Sequence, residues 1–177
     1  MKSSSKFGVN KEQHYVIILN RVSGVLSKTD WTIAGFSSEE ATGESGGKNG
    51  RAIHAIDSNN DTFWHSQWSG AKPQPPHWLI IDLHKEYTIT HVILRQRGSG
   101  DSAPTKAGEF YLCDEYNASA PELANWRKIG NFELAAIADD QTISVTTSKG
   151  RYLRVYITET RSGDKTTSLA EISLRGY

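Results

Sequence analysis

Asp57, Ser58, Asn59, Asn60, Asp61 and Thr62 are consecutive residues that each carry a side-chain oxygen. Oxygen is the donor a hard cation such as Ca²⁺ gathers, about six to eight at a time. The start, Asp-x-Asn-x-Asp, imitates an EF-hand loop. The rest does not: the sixth position is Thr62 instead of Gly, and the twelfth is Trp68 instead of a bidentate Glu. Two readings stay open on the residues alone: a cation loop of another kind, or an Asx-rich turn whose side chains bond their own backbone. Phe63, Trp64, His65 and Trp68 follow at once, then a Pro-rich turn and the apolar stretch Trp78–Leu83, so this window concentrates tryptophan beyond what a plain loop needs.

A second chemistry is available close by. Sugars are recognised by an aromatic face packed on C–H groups, with charged side chains bonding the hydroxyls, and the planar fork of arginine can hold two vicinal oxygens at once. His65 and Trp68 supply the loop part of such a set. Arg95 and Arg97, two apart, fall on one face of a strand that runs into the turn Gly98–Asp101, where Asp101 could orient an arginine or bind a hydroxyl. Each has a plainer alternative: a solvated strand arginine, a loop-bonding histidine, a packed tryptophan. Trp64 and Trp78 are read as core. The Gly-rich loop Ser37–Arg51, almost without apolar residues, is expected to contribute no chemistry.

Ala55-Ile-Asp-Ser-Asn-Asn-Asp-Thr-Phe-Trp-His-Ser-Gln-Trp68, then Pro75-Pro-His-Trp-Leu-Ile-Ile-Asp-Leu83, resembles the discoidin-like family: the factor V/VIII C-type domains and family 32 carbohydrate-binding modules. Leu94-Arg-Gln96, Gly150-Arg-Tyr-Leu-Arg-Val155 and Ser168-Leu-Ala-Glu-Ile172 extend the match over residues 29–177. The resemblance implies an all-β fold, an antiparallel β-sandwich of jelly-roll, galactose-binding-domain-like type. It also implies one structural Ca²⁺. Its ligands would be the carboxylates of Asp57 and Glu171, the hydroxyl and carbonyl of Thr62, and the backbone carbonyls of His54, Asn59 and Ala170. Such an ion would tie the first loop to the last strand.

Composition limits the alternatives. Lys plus Arg equals Asp plus Glu, at 20 each, which argues against the clustered positive charge that nucleic acid or a polybasic membrane anchor requires. No apolar run approaches the ~20 residues of a membrane helix. A single cysteine, Cys113, excludes an internal disulfide and reads as a small core residue. Of the six histidines, His54, His65, His77, His84 and His91 are scattered without metal-ligand spacing. No enzyme activity is expected.

The remaining chain alternates turns with half-buried strands at Asp30–Phe36, Tyr87–Arg97, Glu109–Cys113, Trp126–Leu134, Thr142–Thr147, Arg151–Thr158 and Ser168–Leu174. In Arg151–Thr158 the period of two sets Leu153, Val155 and Ile157 toward a core, with Tyr152, Arg154 and Tyr156 on a wet side. Ala118–Asn125 is the one stretch suited to a turn of helix. Residues 1–28 stand apart as an N-terminal segment, with an apolar strand at His14–Leu19 that is either the last strand of a preceding domain or an added edge of the sandwich, and a connector from Asn20 to Lys28. Met1-Lys-Ser-Ser-Ser-Lys6 lacks the apolar core of a signal peptide. Since the resembled family is mostly extracytoplasmic, the chain is expected to be part of a longer extracellular or cell-surface protein. The expected function is non-catalytic glycan binding beside other tethered domains, with protein or phospholipid adhesion as the alternative.

Overall fold

The computed structural model describes residues 22–177 except Ala103 and Asp164, and not the side chains of Asp101 and Ser162. The strand expected at His14–Leu19 lies outside the described residues. The strands in chain order are β1 (Gly24–Val25), β2 (Thr32–Phe36), β3 (Trp64–His65), β4 (His77–Arg95), β5 (Thr105–Cys113), β6 (Arg127–Glu133), β7 (Asp140–Thr160), β8 (Ser168–Leu169) and β9 (Glu171–Gly176). One sheet runs β1-β9-β4-β7-β5-β6 with β2 on β4, and β3 pairs with β8 alone. Every pairing between these strands is antiparallel, and the molecule is an antiparallel β-sandwich whose helical elements, among the described residues, are short 3₁₀ turns.

Two long strands create the layers. Trp78–Leu83 and Tyr87–Arg97, expected to be separate, join as β4, and Thr142–Thr147 and Arg151–Thr158 join as β7. The β4–β7 register slips between Asp82 and Tyr87, where His84 takes a φ of +61°. Such an irregularity bends a strand without ending it. On the far side of β4, β2 borders the first half and β9 the second. Gly130 of β6 lies against Val145 in the first half of β7, so the sheet curls over on itself.

The apolar positions read from period two meet inside. Leu153, Val155 and Ile157 are buried with Leu79, Ile81, Leu94, Phe110 and Ile172, and each such side chain contributes about 1.5–3 kcal/mol when fully buried. The expected wet side is different. Arg154 stacks at 4.4 Å on Tyr111 and 4.7 Å on Trp126, and Tyr116 packs on Trp126 and Tyr152. The segment after β5 therefore covers this face. Cys113 is buried as expected, while Trp78 is only half-buried and lies outside the main core.

Two further expectations change. Gly24–Val25, within the expected connector, pairs with Gly176 and Arg175 of β9. Ala118–Asn125 forms only the 3₁₀ turn Pro121–Leu123.

Candidate functional site

The site is built on β3, which is only two residues long and needs support from both edges. On one edge it pairs with β8, Trp64 to Leu169 and His65 to Ser168. On the other edge the loop 37–51 laces itself to the same stretch. Glu40 N–H donates to the His65 carbonyl at 2.9 Å, Gly50 N–H to Phe63 at 2.8 Å, and His65 N–H to Gly50 at 3.1 Å. Gly50 sits at φ +93°, and a Cβ there would stand 2.0 Å from the Glu40 carbonyl oxygen, so only glycine fits. Phe63 N–H is taken by the Asn49 side chain at 3.0 Å.

This lacing delivers Glu44 to the middle of the predicted ligand residues. Its Oε1 accepts the Trp68 indole N–H at 2.9 Å and an Arg97 N–H at 3.5 Å, and the His65 Nε2 lies 4.0 Å away. The Arg97 guanidinium also rests on the Phe63 ring, 4.2 Å from its centroid. His65 is nearly buried and fixed through Nδ1 to the Ser66 carbonyl at 2.7 Å. Trp68, 37% exposed, and Arg97 form the rim. The result is a shallow patch with a carboxylate and an imidazole at its floor and an indole and a guanidinium at its edge.

Three of the five predicted ligand residues, His65, Trp68 and Arg97, are thus brought together. Arg95 is not with them: β4 ends at Arg95, the intervening Gln96 is buried and donates to the Ala135 carbonyl, and Arg95 pairs with Asp140 of β7 at 3.1 Å. The two arginines therefore do not share a strand face. Asp101 lies in the 3₁₀ turn Gly100–Ser102, and its side chain is outside the described residues.

The loop expected to do no chemistry holds the carboxylate at the centre. The signal was present, since Glu39, Glu40 and Glu44 are three carboxylates in a loop with almost no apolar content. All three are engaged. Glu39 takes the Ala52 N–H at 2.8 Å. Glu40 is 1% exposed and accepts the N–H groups of Gly43, Trp68 and Ser69 and the Ser69 hydroxyl. Burial alone would raise its pKa, but these donors win and hold it at about 2. The string Gly43-Glu-Ser-Gly-Gly47 spells Gly-x-Ser-x-Gly, yet Ser45 opens a 3₁₀ turn and not the strand-to-helix elbow that activates a nucleophile.

The predicted cation residues fall into two groups. In the first loop Asp57 accepts the Asn59 N–H at 2.9 Å and the Thr62 hydroxyl at 2.7 Å, and the Asn59 side chain accepts the Asp61 N–H at 3.0 Å. That is the Asx-type turn. Glu171 comes from β9, next to Ala170, whose N–H bonds the Arg95 carbonyl. Glu171 Oε1 pairs with Lys28, while Oε2 is buried without a partner. Burial raises the Glu171 pKa, the Lys28 ammonium opposes this, and the charge of Asp57 adds to the rise, so the two carboxylates feel each other. Among the described residues no three His, Cys, Asp or Glu side chains converge on one point. A cation here would draw its other donors from hydroxyls and carbonyls, as the predicted set of His54, Asn59, Thr62 and Ala170 would supply. The orphaned Glu171 oxygen beside a second carboxylate fits a hard cation. Lys28 partly takes that role.

Among the described residues no helix is long and apolar enough to cross a membrane. The C-terminal domain of a chitobiase from Bacteroides fragilis superposes with a TM-score of 0.76 at 35% identity, covering 87% of this chain and 98% of that one. The family 32 carbohydrate-binding module of Clostridium perfringens NanJ, solved in complex with galactose, superposes with a TM-score of 0.68 at 17% identity, covering 87% and 99%. A sialidase of Micromonospora viridifaciens is 27% identical over 155 residues, which is 86% of this chain but 22% of the sialidase. The chain therefore corresponds to a fraction of that relative's length. The family model described as the F5/8 type C domain matches residues 34–172, and the chain belongs to that family.

Proposed function

We propose that this domain is a non-catalytic carbohydrate-binding module whose ligand, a galactose-type sugar, sits on the Glu44 patch. The observation that carries this reading is the convergence of His65, Trp68 and Arg97 on one carboxylate. Trp68 offers an apolar face, while Glu44 and Arg97 offer an acceptor and a forked donor to neighbouring hydroxyls. The galactose held by the NanJ module and the sialidase match support the choice of sugar class. A single shallow patch desolvates few groups, so the affinity is weak, on the order of 0.1–1 mM. Such a module acts by raising the local concentration of glycan around linked domains of an extracellular or cell-surface protein.

A structural Ca²⁺ is part of the same reading. The carboxylates of Asp57 and Glu171, the oxygens of Thr62 and the carbonyls of His54, Asn59 and Ala170 would hold it. The ion would neutralise two neighbouring carboxylates and cross-link the first loop to the last strand, stabilising the fold through its binding free energy.

A glycan-array screen with calcium and again after chelation tests both parts. The expected result is a galactose-type hit that Glu44→Gln and Trp68→Ala abolish, and a melting temperature that falls on chelation. No binding to any glycan at millimolar concentration would overturn the sugar reading, and a melting temperature indifferent to chelator would overturn the calcium.

A further inference from the structure

We infer that Glu40 is a positioning residue for the glycan patch: it touches no ligand but sets Trp68 and His65 at their working separation. The inference rests on the reading of the patch as a sugar site. Its observation is that one residue grips both ligand candidates. The Glu40 main-chain N–H donates to the His65 carbonyl at 2.9 Å. Its carboxylate reaches the other side of the patch, where Oε2 accepts the N–H groups of Trp68 at 3.1 Å and Ser69 at 2.7 Å. Oε1 accepts the Ser69 hydroxyl at 2.7 Å and the Gly43 N–H at 3.0 Å.

Trp68 and Ser69 lie in a turn before the Pro-rich segment, where no strand ladder supplies acceptors for their N–H groups. A buried carboxylate facing consecutive backbone N–H groups and a hydroxyl fills that need with charge-assisted bonds, which are short and directional. It therefore fixes the backbone of Trp68, and through it the direction in which the indole leaves the chain. The indole is then trapped from below. A Cβ placed on Gly43 would stand 2.8 Å from Trp68 Cζ2 and 2.9 Å from Glu40 Oε1, so the ring lies directly on the glycine. The same ring donates through Nε1 to Glu44, one residue beyond Gly43. Glu40, Gly43 and Glu44 thus hold the backbone, the face and the edge of one tryptophan. A sugar stacked on that ring meets Glu44 and His65 only while the ring keeps this position.

Two variants test the inference. Glu40→Gln keeps the shape but turns an amide N–H₂ toward N–H donors. Gly43→Ala keeps the charge of Glu40 but crowds both the ring and the carboxylate that holds it. Calorimetric titration with D-galactose is expected to give at least a tenfold loss of affinity for Glu40→Gln and at least threefold for Gly43→Ala, with circular dichroism unchanged for both. Acrylamide quenching of Trp68, read as the difference between each protein and its Trp68→Phe counterpart, is expected to rise in both. This readout needs no ligand and would not move if Glu40 served only general stability. Folded variants that bind like the wild type, or that lose affinity with Trp68 quenching unchanged, would overturn the inference. If the wild type itself binds no sugar, the sugar reading fails. The quenching difference then still decides the clamp, upheld by a rise and overturned by none.

Discussion

At the scale of single residues, the polar groups of this chain separate into those proposed to face a ligand and those that hold something else in place. Glu44 is of the first kind and Glu40 of the second, though both come from the same unremarkable loop. Cys113 belongs to neither. It is buried at the end of β5, and burial, reinforced by the charge of Asp114, pushes its thiol up to about 11. The thiolate is the reactive form, so the native protein is expected to react with a thiol reagent at neutral pH only as fast as it opens. Adding denaturant should raise the rate by orders of magnitude, and fast labelling of the native state would contradict the placement. His65 and Trp68 could be picked out from their types and neighbours. Glu44 was signalled only as one of three carboxylates in a loop with little apolar content, because its partners lie 21 residues or more along the chain and only the fold closes that gap. Arg95 and Arg97 failed as a pair for a local reason. The period-two argument holds only while the strand continues, and the strand stops at Arg95.

At the scale of elements, the bend in β4 is what lets one strand serve two layers, and it is pinned by an ion pair. Asp82 accepts two bonds from Arg151 at 2.8 Å each and the His84 N–H at 2.7 Å. Burial would raise the Asp82 pKa, but the Arg151 bonds lead the opposing effects and hold it below the ordinary carboxylate value. A depressed carboxylate stabilises the fold fully above its unfolded pKa, about 3.9. The contribution fades as the pH falls through the lower folded value. Asp82→Asn is therefore expected to cost about 1.5–3 kcal/mol at neutral pH, a drop of several degrees in melting temperature. Below pH 4 the wild type should lose stability more steeply than the variant, and parallel acid profiles would contradict this. The strands themselves were readable because alternation at Leu153, Val155 and Ile157 is local. Their merging into β4 and β7 was not, since Lys85 and Glu86 look like a turn until β7 is there to pair across it. The supposed wet side was misread for the same reason: Tyr116 and Trp126, which cover Arg154, come from a loop with no periodicity of its own.

At the scale of the whole molecule, the sandwich acts as a rigid frame that brings one end of its chain into register with the other. β8 and β9 close the fold beside β3 and β4, so the loop before β3 and the strand at the C-terminus meet, and the proposed glycan patch and the Asp57–Glu171 junction both hang on that closure. The central claim is that the patch is organised by Glu44 and not by the run of charge along β4. The most direct test is calorimetric titration of D-galactose into the wild type, Arg97→Ala and Arg95→Ala. Arg95 gives up only a partly exposed pair with Asp140, worth below ~1 kcal/mol, and its variant should bind within about twofold of the wild type. Arg97→Ala removes a donor that faces Glu44 and rests on Phe63, and a loss of about tenfold or more is predicted, on the order of 1.4 kcal/mol. Equal losses in the two variants, or a larger one for Arg95→Ala, would contradict the account.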